Sequence, residues 1–218
     1  MATRRAATES SDGAGGGARR GTERVRKLLL AAEKVFAAEG YHGATMRQLA
    51  DAAGVGVSLL VYHFGTKERL YYEIFAHRQY INERRHERLR AVTDLDRPEA
   101  LDEIVAAFID PVLALHDDPD DVWFARLVLR EAADPSSQQR RVLSDLFDPM
   151  AREFIDALRR VLPGKPEGFH EWAYLFSVGV LTQSSFDTRI DSLATTPLKS
   201  ADKRAFLHAY ITAALRHG

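Results

Sequence analysis

Apolar residues recur every three to four positions along most of the chain, which is the spacing of an amphipathic helix. The first such stretch begins after Thr22, a predicted N-cap, and runs to Gly40, a predicted stop. Its apolar positions are Val25, Leu28, Leu29, Ala32 and Phe36. From Pro98 onward the same spacing continues, and no stretch alternates with the two-residue period of a strand. We therefore expect an all-α protein.

A short segment, residues 45–67, has the sequence TMRQLADAAGVGVSLLVYHFGTK and predicts two helices joined by a tight turn. Thr45 and Gln48 have the spacing of a capping box, so a helix should begin there. Gly54 should end that helix, because glycine adopts a left-handed backbone without a Cβ clash. In the second helix Leu60 and Phe64 stand four residues apart and share one buried face. Together with the first stretch this predicts three helices around a small core of Leu29, Phe36, Leu49, Leu60 and Phe64.

The segment as a whole resembles the DNA-binding domain of the TetR/AcrR family of bacterial repressors. The shared pattern is T-x-R-x-(I/L)-A-x-x-A-G-V-x-x-x-x-L-x-Y-H-F-x-x-K-x-x-L, and the resemblance covers residues 22–72, roughly a quarter of the chain. The matching residues are Thr45, Arg47, Leu49, Ala50, Ala53, Gly54, Val55, Leu60, Tyr62, His63, Phe64, Lys67 and Leu70. The resemblance implies a helix-turn-helix DNA-binding domain over residues 22–68, whose second helix enters the major groove.

The resemblance also assigns DNA contacts to individual positions. The positions that match backbone-contacting residues are Thr45, Arg47, Tyr62, His63 and Lys67, and those nearest the base edges are Val57, Ser58 and Leu59. Arg47 and Lys67 lie in the first turns of their helices, where free amides already favour an anion, so both are predicted phosphate anchors. The alternatives are that Tyr62 and His63 are core residues and that the two cations are simple surface charges.

The second helix departs from the family pattern at four positions, namely Gly56, Val57, Leu59 and Val61. Polar, basic or aromatic residues are frequent at these positions in the family. A helix with these replacements can form few hydrogen bonds to bases. We therefore expect apolar contact with thymine methyl groups and recognition of DNA shape to contribute more.

The charge of the chain is divided between its two halves. Residues 1–92 contain 16 Lys and Arg against 10 Asp and Glu, whereas residues 93–218 contain 14 against 21, which gives the net charge of -1. The N-terminal half is therefore the one suited to a polyanion. Residues 1–21 lack large apolar side chains after Met1 and are expected to form a disordered tail. Its arginines either contact DNA as an arm or only keep the tail solvated; they are Arg4, Arg5, Arg19 and Arg20.

Composition excludes several other classes of function. The chain has no cysteine, so disulfides and thiolate chemistry are excluded. No stretch approaches the roughly 18 apolar residues of a membrane span, and we expect a cytoplasmic protein with no membrane partner. The eight histidines form no pair with metal-ligand spacing. No nucleophile and base suggest a triad, so we expect no catalytic residue, metal or cofactor, and the chain is not predicted to be an enzyme.

The remaining residues, 69–218, are predicted to form a helical domain for ligand binding and dimerisation. A helix capped by Thr66 should run to about Val92, and Pro111 should kink or end the helix that follows Pro98. Acidic residues 117–121 predict a turn before a helix over 122–132. A long helix should begin at Pro135 and continue to about Leu158 with a kink at Pro149, and the segment PGKPEG over 163–168 should end it.

Two later stretches predict a subunit interface. Residues 169–186 are apolar on nearly every face, and too little chain remains in one subunit to cover them. The last helix, about 201–216, adds a second apolar surface. In the resembled family the last two helices form a dimeric four-helix bundle, so we expect a homodimer. The predicted interface residues are Trp172, Phe176, Val180, Phe206, Leu207, Tyr210, Ile211 and Ala214.

Aromatic and polar residues on the middle helices predict a pocket for an apolar or amphipathic effector. They are Phe75, Phe108, Trp123, Leu127, Arg130, Phe147, Tyr174, Phe176 and Gln183. Arg130 either faces an acidic ligand or pairs with Glu131 or Asp134 on the surface. The most economical interpretation is a ligand-responsive repressor that binds a palindromic double-stranded operator as a dimer. The alternative is a helical small-molecule-binding protein or enzyme whose helix-turn-helix is incidental.

Overall fold

The structure is a computed structural model, and it describes residues 13–119, 121–186, 189–196 and 198–218. Within these ranges all regular elements are helical, which confirms the predicted all-α class. In chain order they are α1 (Gly13–Gly43), α2 (Met46–Ala52), α3 (Val57–Phe64), α4 (Lys67–His77), α5 (Tyr80–Ala91), α6 (Ala100–Leu113), α7 (Val122–Ala133), α8 (Ser137–Arg140), α9 (Val142–Leu146), α10 (Asp148–Val161), α11 (Phe169–Phe186), α12 (Arg189–Leu193) and α13 (Ser200–His217). None of the described helices is long and apolar enough to cross a membrane.

Helix α1 begins at Gly13, earlier than the sequence predicts. Residues 13–21, which were expected in the tail, form its first turns, and the predicted N-cap Thr22 lies inside it. Residues 1–12 of the expected tail, with Arg4 and Arg5, lie outside the described part of the chain. Adding residues to a helix that is already nucleated and packed costs little, which accounts for the extension past Thr22. The predicted stop is confirmed at Gly40, whose φ of 75° and ψ of 172° are not helical.

The helix-turn-helix follows the sequence pattern closely. The Thr45 hydroxyl accepts a hydrogen bond from the Gln48 amide at 3.3 Å, and the Gln48 side chain accepts one from the Thr45 amide at 2.9 Å. The predicted capping box is therefore confirmed, and Gly54 has the expected left-handed φ of 65°. Leu60 and Phe64 are both buried. The predicted small core is confirmed, since Leu29, Phe36 and Leu49 are buried in the same cluster.

The predicted single long helix from Thr66 to Val92 is wrong, because it is divided into α4 and α5 around Arg78. The amides of Arg78 and Gln79 donate to carbonyls three residues back, which tightens the chain into a turn. The Arg78 side chain is 5% exposed and is bound to carboxylates on other elements. These tertiary contacts, which local periodicity does not contain, fix the position of the break.

A second predicted long helix, from Pro135 to Leu158, is also divided, into α8, α9 and α10. Arg141 has a φ of 58°, and this left-handed residue separates α8 from α9. Pro149 lies in the first turn of α10 rather than at a kink, where its missing amide costs nothing. By contrast, Pro111 lies inside α6, which ends two residues later at Leu113. The predicted break at 163–168 is confirmed, since α10 ends at Val161 and α11 begins at Phe169.

Two apolar clusters form the core. The first cluster contains residues of the four helices α1, α2, α3 and α4 together with α7, whose Phe124 and Leu127 are buried against them. The second joins α5, α6, α10, α11 and α13. The core of the helix-turn-helix part therefore continues into α7, well beyond residue 68. This shared packing provides a direct physical link between the two parts of the chain.

Candidate nucleic-acid interface and effector cavity

The outer face of α3 projects into solvent. Tyr62 is 82% exposed, and Val57, Ser58, Val61 and His63 are also exposed. The aromatic rings of Tyr62 and His63 lie 5.3 Å apart and nearly perpendicular. The alternative prediction, in which these two side chains are core residues, is therefore wrong. The face is held outward because Leu60 and Phe64 occupy the opposite side of the same helix.

The start of α3 is capped by backbone alone. Gly56 is the N-cap, and no side chain accepts a hydrogen bond from the first turn. Leu59, which was predicted near the base edges, is half-buried, whereas Val57 and Ser58 are exposed beside it. The solvent-facing surface of α3 therefore combines apolar groups with one hydroxyl, one phenol and one imidazole. Such a surface suits van der Waals contact and a small number of hydrogen bonds.

The two predicted phosphate anchors are in different situations. The Arg47 side chain is 88% exposed, and its only ion-pair partner among the described residues is Asp51 at 3.9 Å. The Lys67 ammonium donates to the carbonyls of Tyr41 and Ala44 at 2.9 and 3.0 Å, and it lies 4.6 Å from the Tyr41 ring centre. Because an ammonium has three donors, Lys67 keeps one for an anion. It fixes the loop between α1 and α2 and is not a simple surface charge.

The residues predicted to form an effector pocket are dispersed in the structure. Phe75 and Leu127 belong to the first core cluster, Trp123 packs against the Arg126 guanidinium, and Phe176 and Gln183 are exposed. Arg130 does not pair with Glu131 or Asp134, because it donates to the carbonyl of Ala38 at 2.9 Å, near the end of α1. Helices leave such terminal carbonyls without partners, and a cation satisfies them well. Three predicted residues, Phe108, Phe147 and Tyr174, do line one cavity.

This cavity has a volume of about 260 Å³ and lies between α5, α6, α7, α10 and α11. Its walls are mainly apolar side chains. They include Ile81, Phe108, Val112, Leu115, Phe124, Val128, Leu143, Phe147, Met150, Tyr174, Val178 and Leu181. The polar groups on its walls are few and comprise Arg78, Asn82, Arg85, Asp148, Thr182 and the hydroxyl of Tyr174. A mostly apolar space with a few polar groups is the usual composition of a small-molecule site.

One of the two wall arginines, Arg78, is fully neutralised. It forms two hydrogen bonds with Glu33 of α1 at 2.8 and 2.9 Å, and it also donates to Asp121 at 2.5 Å and to the Tyr80 hydroxyl at 3.0 Å. Burial acts to lower the pKa of Arg78, but its bonds to Glu33 outweigh this effect and raise that pKa. Arg78 therefore links the cavity wall directly to the helix that supports the helix-turn-helix.

The other wall arginine, Arg85, has no carboxylate partner among the described residues. It is 5% exposed, and its Nε atom is buried without a hydrogen-bond partner. Its guanidinium lies over the ring of Phe108 at 4.5 Å and near that of Phe154 at 5.4 Å. Burial lowers the pKa of Arg85, and the Tyr174 hydroxyl opposes this effect. The cavity therefore contains one cation whose charge is not balanced nearby.

A second polar network also joins α4 to the later helices. The buried Glu131 carboxylate accepts a hydrogen bond from the Tyr71 hydroxyl at 3.0 Å and forms an ion pair with Arg140 at 2.7 Å. Arg140 also binds Asp134 at 2.7 Å. Hydrogen bonds from the Ser136 amide and hydroxyl, together with Arg140, lower the pKa of Asp134 to about 2. The network thus fixes the turn between α7 and α8 against α4.

The predicted interface residues occupy two different faces of their helices. Phe206 and Tyr210 of α13 are 65% and 54% exposed, as are Trp172 and Phe176 of α11 at 60% and 63%. Leu207 and Ile211 are instead 7% and 2% exposed and belong to the second core cluster. Their inclusion in an interface is wrong, because Leu207 and Ile211 lie four residues apart on the stripe of α13 that packs into the core of the same subunit. Ala214 is exposed and Val180 is half-buried.

The polar cavity residues that the sequence interpretation missed are Arg78, Asn82 and Arg85. A usable signal was present, because Arg85 stands midway between Ile81 and Leu89 on the buried stripe of α5. A charged residue at the centre of an apolar stripe must find a partner or a ligand. No group of three or more His, Cys, Asp or Glu side chains with metal-binding geometry occurs among the described residues.

Comparison with known proteins relates these features to a family. Residues 28–74 match the family model described as bacterial regulatory proteins, tetR family, and residues 106–215 match that of the tetracyclin repressor-like C-terminal domain. The transcriptional activator FasR of Mycolicibacterium smegmatis is 48% identical over 61 residues, which are 26% of this chain and 28% of FasR. The transcriptional repressor AcnR of Corynebacterium efficiens is 41% identical over 46 residues, 21% of this chain and 24% of AcnR. The chain thus matches less than a third of the length of these curated relatives.

Solved structures resemble the chain over most of its length. The fatty acid degradation regulator FadR of Bacillus halodurans superposes with a TM-score of 0.61 at 18% identity, covering 89% of this chain and 97% of its own. The TetR family regulator PfmR of Thermus thermophilus gives 0.58 at 22% identity, with 87% and 97% covered. The FadR regulator of Bacillus subtilis, solved with stearoyl-CoA, gives 0.59 at 17% identity, with 88% and 98% covered. At these identities the likeness establishes the fold.

Proposed function

The chain belongs to the tetR family of bacterial regulatory proteins, and we propose that this DNA-binding transcriptional regulator is a ligand-responsive repressor that binds a palindromic operator as a homodimer. The observation that carries the proposal is the solvent-facing surface of α3, on which Tyr62 is 82% exposed while Leu60 and Phe64 anchor the helix from behind. A helix presented in this way by a bracing helix fits the major groove.

In this proposal the DNA contacts divide into two kinds. Val57 and Ser58 approach base edges and Tyr62 and His63 approach the backbone, while Leu59 contributes less because it is half-buried. Arg47 supplies the freely mobile positive charge, and Lys67 adds its remaining ammonium hydrogen while it fixes the loop before α2. Thr45 contributes mainly by capping α2. Because the reading surface is largely apolar, discrimination between sequences relies on thymine methyl groups and groove shape.

Dimerisation is supported by the exposed aromatic residues of α11 and α13. Trp172 and Phe176 lie one helical turn apart, as do Phe206 and Tyr210, and all four side chains are more than half exposed. Contiguous apolar surface of this kind marks an interface in a folded protein. A twofold-related pair of subunits would place two α3 helices in successive major grooves, about one helical turn of DNA apart.

Ligand response requires a connection between the cavity and the DNA-facing helices, and Arg78 supports one. The same guanidinium lines the cavity and holds Glu33 of α1 by two hydrogen bonds. An apolar or amphipathic effector that displaces the α4–α5 junction would move α1 and thereby the spacing of the two α3 helices. Such a ligand shifts the equilibrium only by the difference in its affinity for the two arrangements.

The proposal is tested by gel retardation with the DNA upstream of the protein's own gene, at physiological salt and with random duplex as competitor. Specific retardation and two protected half-sites about one helical turn apart are expected. Tyr62→Ala should weaken the specific complex more than Tyr62→Phe, which keeps the ring and removes only the hydroxyl. The assignment would be refuted if random duplex competes for the protein as well as unlabelled operator does. It would also be refuted if Tyr62→Ala binds the operator as tightly as the unsubstituted protein. A promoter fused to a reporter gene then distinguishes repression from activation.

A further inference from the structure

The cavity wall contains a buried cation, Arg85, whose charge no carboxylate among the described residues neutralises. Desolvating an ionised side chain is unfavourable unless an opposite charge or several hydrogen bonds compensate for it. Arg78 on the same wall has Glu33 and Asp121 for this purpose, whereas Arg85 has two aromatic faces, a nearby phenol and an unpaired Nε. The contrast between the two arginines singles out Arg85 as the one without a carboxylate partner among the described residues.

The other polar groups on the wall are already occupied. The Asn82 amide donates to the Gln79 side chain and to the Leu146 carbonyl at 3.2 and 3.1 Å. The Thr182 hydroxyl bonds the Val178 carbonyl at 2.8 Å in its own helix. Asp148 is the one wall carboxylate; its side chain is 49% exposed and lies 3.6 Å from Arg152, so solvent and that arginine offset its charge. An anion would therefore find one favourable receptor in the cavity, at Arg85.

We propose that Arg85 binds the carboxylate of an amphipathic monocarboxylic acid whose apolar body fills the cavity. This inference rests on the proposed ligand response and specifies the chemistry of the effector. A carboxylate accepts two hydrogen bonds in the plane of a guanidinium, and such charge-assisted bonds are among the strongest in proteins. The rings of Phe108 and Phe154 lie 4.5 and 5.4 Å from the guanidinium carbon, and the buried Nε–H still has no acceptor.

The size of the space sets the length of the acid. At about 30 Å³ per non-hydrogen atom, the volume of a water molecule in the liquid, the 260 Å³ cavity holds roughly nine such atoms. Decanoate carries a chain of nine carbons beyond its carboxylate, so its apolar body matches this estimate, and we choose decanoate as the probe. The same reasoning orients the ligand with its carboxylate buried and its chain against Phe147, Val178 and Leu181. A thioester of the same acid has no carboxylate to offer to Arg85.

Calorimetry on the full-length protein without DNA tests the inference, with decanoate, 1-decanol, decylamine and decanoyl-CoA as probes. Decanoate should bind at least about 10-fold more tightly than decanol, and decylamine should bind most weakly. Tighter binding of decanoyl-CoA than of decanoate would overturn the free-acid assignment. Equal binding of decanoate and decanol would overturn the role of Arg85.

Substitution of the arginine supplies a second readout that does not depend on the choice of acid. Arg85→Met should weaken decanoate binding roughly 10- to 100-fold and leave decanol binding unchanged. It should also raise the melting temperature of the free protein, because an uncompensated buried charge is removed. Arg88→Met is the matched control, since Arg88 lies on the same helix with its side chain 53% exposed. A lowered melting temperature, or decanoate binding equal to that of the Arg88→Met variant, would refute the proposal.

These measurements also separate this inference from the proposed function. Binding of decanoate is measured without DNA, and operator binding by the free protein is measured without decanoate. If the operator is bound and decanoate is not, the chemistry proposed for the effector is wrong while the regulator assignment stands. If decanoate is bound and no operator is found, the regulator assignment is wrong while the binding chemistry proposed for Arg85 stands.

Discussion

The ion pair between Glu33 and Arg78 is buried, so removing one of its two charges should lower the stability of the protein substantially. The Glu33 and Arg78 side chains are 2% and 5% exposed and lie 2.8 Å apart. Arg78→Met removes the charge while it keeps much of the apolar volume, and so leaves the Glu33 carboxylate buried without a partner. Asp121 loses the same arginine, but its side chain is 24% exposed and remains partly hydrated. The effect therefore arises mainly at Glu33.

The size of the loss follows from the two states available to Glu33. As a carboxylate without a partner it costs about 3–5 kcal/mol. It can instead take up a proton, and from an ordinary pKa of 4.5 this costs about 3.4 kcal/mol at pH 7, because each pH unit corresponds to about 1.36 kcal/mol. The smaller cost sets the limit. We therefore expect Arg78→Met to lower the free energy of unfolding by about 3 kcal/mol at pH 7.

The same reasoning gives a pH dependence with a definite sign. Burial raises the pKa of Glu33, and in the variant the opposing effect of Arg78 is lost. A carboxyl whose folded pKa is raised contributes stability that is fully present below its unfolded pKa and is lost as the pH rises through the folded pKa. At pH 5 proton uptake costs only about 0.7 kcal/mol. The loss of unfolding free energy in the variant, relative to the unsubstituted protein, should therefore be about 2.7 kcal/mol smaller at pH 5 than at pH 7.

Urea unfolding at one fixed protein concentration measures these differences, because the stability of a dimer depends on concentration. Arg88→Met is the matched control, since the exposed pair between Arg88 and Asp110 should contribute no more than about 1 kcal/mol. The double variant Glu33→Leu with Arg78→Met removes both charges and should unfold with most of the original stability. The reasoning is refuted if Arg78→Met loses no more than Arg88→Met, or if its loss is the same at pH 5 and pH 7.

Three further predictions concern the DNA-facing helices and the subunit interface. Lys67→Ala should weaken binding to operator and random duplex alike and reduce the salt slope by about 0.9; an unchanged slope would show that Lys67 only supports the loop before α2. Phe206→Glu should yield monomers in analytical ultracentrifugation, because it places a charge in the proposed interface. The circular dichroism spectrum should stay unchanged, because Phe206 is 65% exposed in one subunit and its side chain is not needed for folding. Gly54→Ala should lower the free energy of unfolding by about 1–2 kcal/mol, because the φ of 65° disfavours a Cβ, whereas Gly21→Ala inside α1 should stabilise the protein by a few tenths to about 1 kcal/mol.

The helix-turn-helix is the part of the fold that the sequence predicted in most detail. Its signals are local, since a capping threonine, a glutamine three residues later and a glycine stop act within one or two turns. The exposure of the α3 surface followed for the same reason, because Leu60 and Phe64 fix which side of an eight-residue helix is buried. The solvent exposure of the α3 side chains proposed to contact DNA could therefore be predicted, whereas the bonds of Lys67 to the Tyr41 and Ala44 carbonyls could not.

The C-terminal half was less predictable because its breaks and its cavity depend on contacts between distant segments. Periodicity gave continuous helices through Arg78 and Arg141, whereas a bond to Glu33 and a left-handed residue divide them. The predicted pocket residues were selected by type, and aromatic side chains satisfy a core as readily as a binding site. Phe75 and Phe108 have the same chemistry and are both buried in the core, and only the packing around them decides that Phe108 also lines the cavity.

By itself the sequence determined the helical class, the caps and turn of the DNA-facing helices, and the apolar faces of the last two helices. These properties depend on spacing within one or two helical turns, which a linear sequence records directly. The tertiary structure decided which charged residues are neutralised and which are not. Arg78 and Arg85 lie seven positions apart in the sequence and line the same cavity, and nothing in their local sequence distinguishes them. Glu33, 45 positions away from Arg78, reaches only one of the two, and that difference arises from the packing of α1 against α4.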